Sequence, residues 1–413
     1  MKNFIARQPI FGRDQDVLGY EVLFRSNAEN AFSAPQQDAA TLSVDALLQF
    51  GLDRVISGRL AFINCTSEFL RRDYLTLLPP DRVVGEILET VPANQEMLDA
   101  CRRLKTSGYH LAVDDFAGSP AAMPFLEVAD YVKVDFIRTS PLEQARIAKE
   151  LSRANLVLIA EKVETREALQ RATSMGYHYF QGYFFCRPQV AQRRAIPTQK
   201  LQYMRVMQIV NQPEVDLQHL ARAIKQDASL TYRLLRYMNS PLFALRTTVT
   251  SVQHALALLG ELAIRKWISL VSVSAMSEDK PAELVMLPLI RARFCELIAL
   301  ATILRYQAEE LFLMGLLSAM DAILDMPMNA LLGEIPVSDD IKFALLGGAG
   351  KFRDVYEIVL NYETGSWEPL LQALKRVRIS EELLPQLFLQ SLDWANQVSS
   401  LDLPEPTPQK IRP

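Results

Sequence analysis

His110-Leu-Ala-Val-Asp-Asp115, Tyr131-Val-Lys-Val-Asp135 and Asn155-Leu-Val-Leu-Ile-Ala-Glu161 are three short apolar runs, each ending on an acid. Their aliphatic and β-branched residues suit buried strands. Between and around them lie amphipathic or polar stretches long enough for helices, such as Asn94–Ser107, Pro141–Arg153 and Arg166–Met175. Strand–helix alternation of this kind predicts a parallel sheet covered by helices. Similar runs recur outward from this core at Leu60–Cys65, Arg82–Leu88 and Tyr179–Phe184. The first two runs, Phe4–Phe11 and Val17–Phe24, are joined by Gly12-Arg-Asp-Gln-Asp16, a hairpin-sized link that makes this pair antiparallel. Eight runs within about 190 residues predict a compact, TIM-like (β/α) barrel of α/β class with an antiparallel first strand.

The chain has 413 residues, which is too long for one ordinary domain. From about Lys200 the strand-like runs thin out. Val252, Leu256 and Leu259 recur at i, i+4 and i+7 behind the capping residues Thr250 and Ser251. Leu220–Met238, Ala282–Tyr306 and Leu311–Leu324 also read as helices. The polar, proline-containing stretch Gln192–Lys200 serves as a linker, and Pro404–Pro413 carries four prolines in ten residues. The expected domains are therefore a barrel over 1–195, an all-helical domain over 200–400 and a Pro-rich tail over 401–413.

Composition narrows the function. Hydrophobic residues make up 49%, enough to exclude disorder for most of the chain. Lys and Arg number 44 against 48 Asp and Glu, a net charge of -4 that argues against a general nucleic-acid binder. No apolar run reaches the roughly 18–20 residues needed to cross a bilayer, and the N-terminus lacks a signal-peptide core. Cys65, Cys101, Cys186 and Cys295 are scattered without CxxC spacing, as in a reduced, cytoplasmic protein. Neither nucleic acid nor membrane is an expected partner.

In a (β/α) barrel the chemistry sits where strands end and loops begin. Polar groups recur there: Glu21, Asn64, Glu86, Asp114-Asp115, Lys133 with Asp135, Glu161 and Gln181. Any one such carboxylate is more often a helix cap or a solvated loop residue. Two adjacent acids ending an apolar strand are harder to place that way, because an unpaired buried charge is costly. Oxygen donors converging on one rim are what Mg²⁺ or Mn²⁺ prefers, and a nearby lysine can position an attacking water. This pattern by itself reads as a metal-dependent barrel enzyme or its relic.

The same residues resemble a known family. The first half is similar to the EAL domain, whose active members hydrolyse cyclic di-GMP. Gln8-Pro-Ile10 resembles its opening strand, and Glu21-Val-Leu-Phe-Arg25 stands in the place of E-A-L-x-R. Phe62-Ile-Asn64, Glu86-Ile-Leu-Glu89, Asp114-Asp-Phe116, Lys133-Val-Asp135, Ala160-Glu-Lys-Val-Glu164 and Gln181-Gly-Tyr183 with Pro188 resemble its later motifs in order. The resemblance implies that Glu21, Asn64, Glu86 and Asp114 bind a first divalent ion, Mg²⁺ or Mn²⁺. Asp115 would bind a second ion, bridged by Asp114. Lys133 would orient the attacking water, and Glu161 and Gln181 would complete the site. Gln8 and Arg25 would contact the ligand, as would Gln181, and Glu89 would anchor the loop after the acid pair. Three departures stand out: Ala117-Gly-Ser-Pro-Ala-Ala-Met123 replaces a glycine-rich loop, Lys162 replaces a glycine, and only 42 residues separate Glu21 from Asn64.

The second half resembles the HDOD domain, a helical relative of HD-type phosphohydrolases. Gln226-Asp-Ala-Ser-Leu230, Leu234-Leu-Arg-Tyr-Met-Asn-Ser240 and Thr250-Ser-Val with Ala255-Leu-Ala-Leu-Leu-Gly260 carry the likeness. Gly315-Leu-Leu-Ser-Ala319 stands where an HD enzyme shows its His-Asp pair, so this half is expected to bind or regulate rather than catalyse. Together the resemblances imply a cyclic di-GMP phosphodiesterase yielding pGpG, with a protein partner for the helical half and a homodimer among the expected assemblies. The alternative is a weak or inactive cyclic di-GMP receptor or scaffold.

Overall fold

The structure, a computed structural model, describes residues 4–25, 47, 51–152, 156–182, 197–212, 214–239 and 248–400. Eight strands close into a barrel in sequence order. They are β1 (Phe4–Phe11), β2 (Val17–Arg25), β3 (Leu60–Cys65), β4 (Val83–Ile87), β5 (His110–Val113), β6 (Tyr131–Asp135), β7 (Val157–Glu161) and β8 (Tyr179–Gln181). β1 runs antiparallel to both neighbours, pairing Gln8 with Glu21 of β2 and Ile10 with Gln181 of β8. The strands from β2 to β8 are mutually parallel. The expected barrel and its antiparallel first strand are therefore present.

The intervening helices begin where the sequence offers caps. Asn94 accepts from Met97 N at the start of Gln95–Thr106, and Ser140 forms a capping box with Glu143 at the start of Pro141–Leu151. Thr165 caps Arg166–Met175, which ends on Gly176 at φ 97°. One layer of side chains from Ile10, Phe62, Val84, Ala112, Tyr131 and Ile159 packs into a buried cluster and floors the barrel.

The chain divides into two compact units. One is Met1–Arg187 with Glu357–Arg376 and Ser380–Leu389; the other is Pro188–Tyr356, Val377–Ile379 and Gln390–Pro413. The C-terminal residues of the first unit pack on the start of β1. The ring of Phe4 lies 5.4 Å from that of Trp367 and 6.3 Å from that of Tyr362, which in turn meets Phe388 at 4.9 Å.

The described residues of the second unit are helical. Leu220–Met238, expected as one helix, is broken: Leu217–Lys225 ends, and Asp227 caps a new helix, Ala228–Met238, through Ser229 N and Leu230 N. Ala282–Tyr306 stops as a helix at Leu300, and Leu311–Leu324 is divided between Ala308–Leu317 and Met320–Leu324. Ser251 caps Val252–Met276, which kinks at Gly260, φ 72°. Asn239 exchanges two hydrogen bonds with the backbone of Val249, at 2.9 and 2.8 Å. Asp227 and Asn239, two of the residues carrying the HDOD likeness, thus do structural work. No described helix is long and apolar enough to cross a membrane.

Candidate functional site

Side chains on a strand alternate between faces, so residues two apart share one. Two residues from the floor layer toward the C-terminal mouth, Phe62 leads to Asn64, Val84 to Glu86, Ala112 to Asp114, Tyr131 to Lys133 and Ile159 to Glu161. On antiparallel β1 the step runs the other way, from Ile10 to Gln8. The closed barrel therefore turns a row of polar residues scattered over 170-odd positions into one ring above an apolar floor.

Lys133 stands at the centre of that ring, fully buried. Its Nζ lies 2.7 Å from Glu86 Oε1, 2.7 Å from Glu161 Oε1, 3.0 Å from Glu21 Oε2 and 3.3 Å from Asp114 Oδ1. Gln181 Nε2 donates to the same Glu21 oxygen at 2.8 Å and to Gln8 Oε1 at 3.1 Å. Gly182 follows, at φ 148°; a Cβ there would come 2.1 Å from Val163 O, so the strand end admits no side chain. The backbone of Arg25 ends β2, but its side chain lies outside the described residues, as do Tyr183, Cys186 and Pro188.

Four carboxylates against one ammonium leave three formal negative charges. Burial is the largest influence on each group. It would pull the Lys133 ammonium down, but Asp114, Glu161, Glu21 and Glu86 together hold it well above its usual range. Burial pushes Glu86 well above the usual carboxylate range and raises Asp114, with Lys133 offsetting only part. Glu161 is pushed up to about 8 in the same way. Glu21 resists burial and is lowered, because Lys133, Gln181 and Asn64 all favour its charged form.

The acid pair is split between two environments. Asp114 faces Lys133. Asp115, at φ 45°, has Arg138 Nη1 3.2 Å from Oδ2 and Lys162 Nζ 3.7 Å from Oδ1. Lys162 also pairs closely with Asp135 Oδ2, while Asp135 Oδ1 accepts from Ile137 N at 2.7 Å and Arg138 N at 3.0 Å. Lys162 itself lies at φ 54°, a left-handed conformation that costs a non-glycine residue about 1–2 kcal/mol. Glu89, expected to anchor the loop after the acid pair, is half exposed and reaches Arg138 Nη1 at 3.6 Å. That loop closes on itself through Ala122 N to Ser119 O, 3.1 Å.

Among the described residues, no three His, Cys, Asp or Glu side chains form a closed metal cage. The ammonium of Lys133 takes the point on which the carboxylates converge. The donor set nevertheless fits a hard cation. Asn64 Oδ1 and Glu86 Oε2 are buried acceptors without a hydrogen-bond donor, and the ring carries surplus negative charge. Arg138 was not among the expected site residues, and Asp135 was named at its strand end without a role. Arg138 sits in a loop without any local pattern, whereas Asp135 ends a strand two residues after Lys133.

A family model for the EAL domain matches residues 62–188, and one for the HDOD domain matches residues 196–325. The chain is 33% identical to "Cyclic di-GMP phosphodiesterase CdgJ" of Vibrio cholerae over 96% of its own length and 93% of that protein's. It is 31% identical to "Uncharacterized protein YuxH" of Bacillus subtilis over 96% of its own length and 99% of that protein's. The chain belongs to the tandem EAL–HDOD family. The EAL model begins at Phe62, after Glu21, yet β1 and β2 complete the barrel and bring Gln8 and Glu21 into the ring. A solved structure of Klebsiella pneumoniae BlrP1, a manganese and cyclic di-GMP complex, is 23% identical over 44% of this chain and 55% of that one, with a TM-score of 0.37. In the HDOD half, Ser318 and Ala319, expected where an HD enzyme shows its His-Asp pair, are both buried.

Proposed function

We propose that this EAL–HDOD chain is a cyclic di-GMP phosphodiesterase that opens the ring to linear pGpG with Mg²⁺ or Mn²⁺. The observation that supports it is the ring of Glu21, Glu86, Asp114 and Glu161 about Lys133, four carboxyl groups to one ammonium, with unpartnered oxygens on Asn64 and Glu86. Glu21, Asn64, Glu86 and Asp114 would hold a divalent ion, which when bound supplies charge stabilisation to an in-line phosphodiester hydrolysis. Lys133 would orient the attacking water, its charge secured by the surrounding acids. Glu161, pushed up to about 8 without the ion, would give up its proton when the ion binds and then accept one from that water. Gln181 fixes Glu21 and, with Gln8, offers amides to the ligand at the mouth, where Arg25 would add a planar fork for phosphate. The HDOD half would act as a regulatory or partner-binding module.

A receptor that binds without cleaving is the second reading. The engagement of Asp115 by Lys162 and Arg138 favours it. Glu21→Ala and Asp114→Ala separate the two. For a phosphodiesterase, either change should lower turnover at least about 100-fold, since each removes an anionic ion ligand. Wild-type turnover in either variant would contradict the metal assignment. Unchanged cyclic di-GMP with measurable binding would support the receptor.

A further inference from the structure

The mouth of the barrel has two electrostatically different sides. On one, Glu21, Glu86, Asp114 and Glu161 share a single ammonium. On the other, Asp115, Asp135 and Glu89 face two cations, Lys162 and Arg138, which leaves one formal negative charge. Asp114 and Asp115 are adjacent in sequence, yet they serve opposite sides.

Lys162 halves the excess charge of the second side, from two formal negative charges to one. It follows Glu161 directly at the end of β7, at φ 54°, where glycine would sit without strain. A lysine held in that conformation needs something to hold it. The close ion pair with Asp135 does so, because the Asp135 side chain is only 4% exposed and its other oxygen is tied to two backbone N–H groups. The ammonium is thereby fixed 3.7 Å from Asp115 Oδ1, a buried oxygen that accepts no hydrogen bond. A positive charge at that distance disfavours a divalent ion on the same oxygen.

We infer that Lys162, with Arg138, is a built-in cation at Asp115, so that this barrel takes one divalent ion rather than two. The ion goes to the side carrying the larger surplus charge, among Glu21, Asn64, Glu86 and Asp114. The inference rests on the reading that the ring binds a divalent ion at all. It makes Lys162 a positioning residue that sets metal stoichiometry through Asp115.

The test is the number of Mn²⁺ ions bound per full-length chain after chelation, by calorimetry, with electron paramagnetic resonance reporting whether ions are coupled. The wild type should bind one ion with an uncoupled spectrum. Lys162→Gly and Lys162→Met should each bind two, with a coupled signal, and Lys162→Arg should stay at one. Lys162→Met keeps the readout if the glycine variant misfolds. Two ions in the wild type would overturn the inference and leave the metal reading intact. One ion in the folded glycine or methionine variant would overturn the role of Lys162. No ion in the wild type would remove both the inference and the reading beneath it.

Discussion

Lys133 is held by four carboxylates within 3.3 Å, so replacing it with an apolar side chain leaves buried acids uncompensated. Lys133→Met should lower the unfolding free energy of the metal-free barrel by about 3–5 kcal/mol, the usual effect of breaking a buried pair. Denaturant unfolding followed at the barrel measures it, and a loss below about 1 kcal/mol would mean that the acids do not depend on this ammonium. Glu161 supplies a second residue-level expectation. Its carboxyl titrates at about 8 when buried here, against an ordinary 4.5. That raised value favours the fold fully below pH 4.5 and the benefit is lost as pH rises through 8. A divalent ion competes with the same proton. Ion binding at pH 7 should therefore release a proton, and affinity should climb from pH 6 to 8 and then level. Calorimetry in buffers of different ionisation enthalpy reads the proton count; none released at pH 7 would contradict the account. Most of the ring was legible from sequence, because apolar residue, gap, polar residue recurs on successive strands, as in Phe62-Ile-Asn64 and Ile159-Ala-Glu161. The partition of Asp114 from Asp115 was not, because it depends on φ at Asp115 and on Arg138, neither of which leaves a periodic trace.

The strands themselves were readable because a closed parallel barrel buries both faces, and buried strands are apolar runs. The helix boundaries in the second unit were less so. Leu220–Met238 is continuously amphipathic, and only the capping acid Asp227 marks the break. The return of Glu357–Arg376 and Ser380–Leu389 to the barrel unit left no local signal either. It comes from tertiary packing of Tyr362, Trp367 and Phe388 near Phe4. Tyr362 is fully buried, and Tyr362→Ala should cost about 3–5 kcal/mol, as large aromatic truncations do. Hydrogen exchange of the β1–β2 amides in the full chain is the measurement, since a single unfolding transition is not expected of two units. Faster exchange at β1 and β2 is the expected result, and unchanged protection would show that these helices do not support the barrel. Residues 1–195 alone lack this cover and should expose Phe4.

At the scale of the molecule, the HDOD half retains the capping acid Asp227 and the bridging amide Asn239 of its motif. On the proposed reading, the EAL barrel acts on cyclic di-GMP and the HDOD half regulates it. The measurement that tests this most directly is incubation of the full chain with cyclic di-GMP and Mg²⁺ or Mn²⁺ in ¹⁸O-labelled water, with products read by mass spectrometry. Linear pGpG carrying one ¹⁸O, formed only when the ion is present and absent with Glu21→Ala, is the predicted result. Cyclic di-GMP recovered intact with either ion, at protein concentrations matching the ligand, would contradict it.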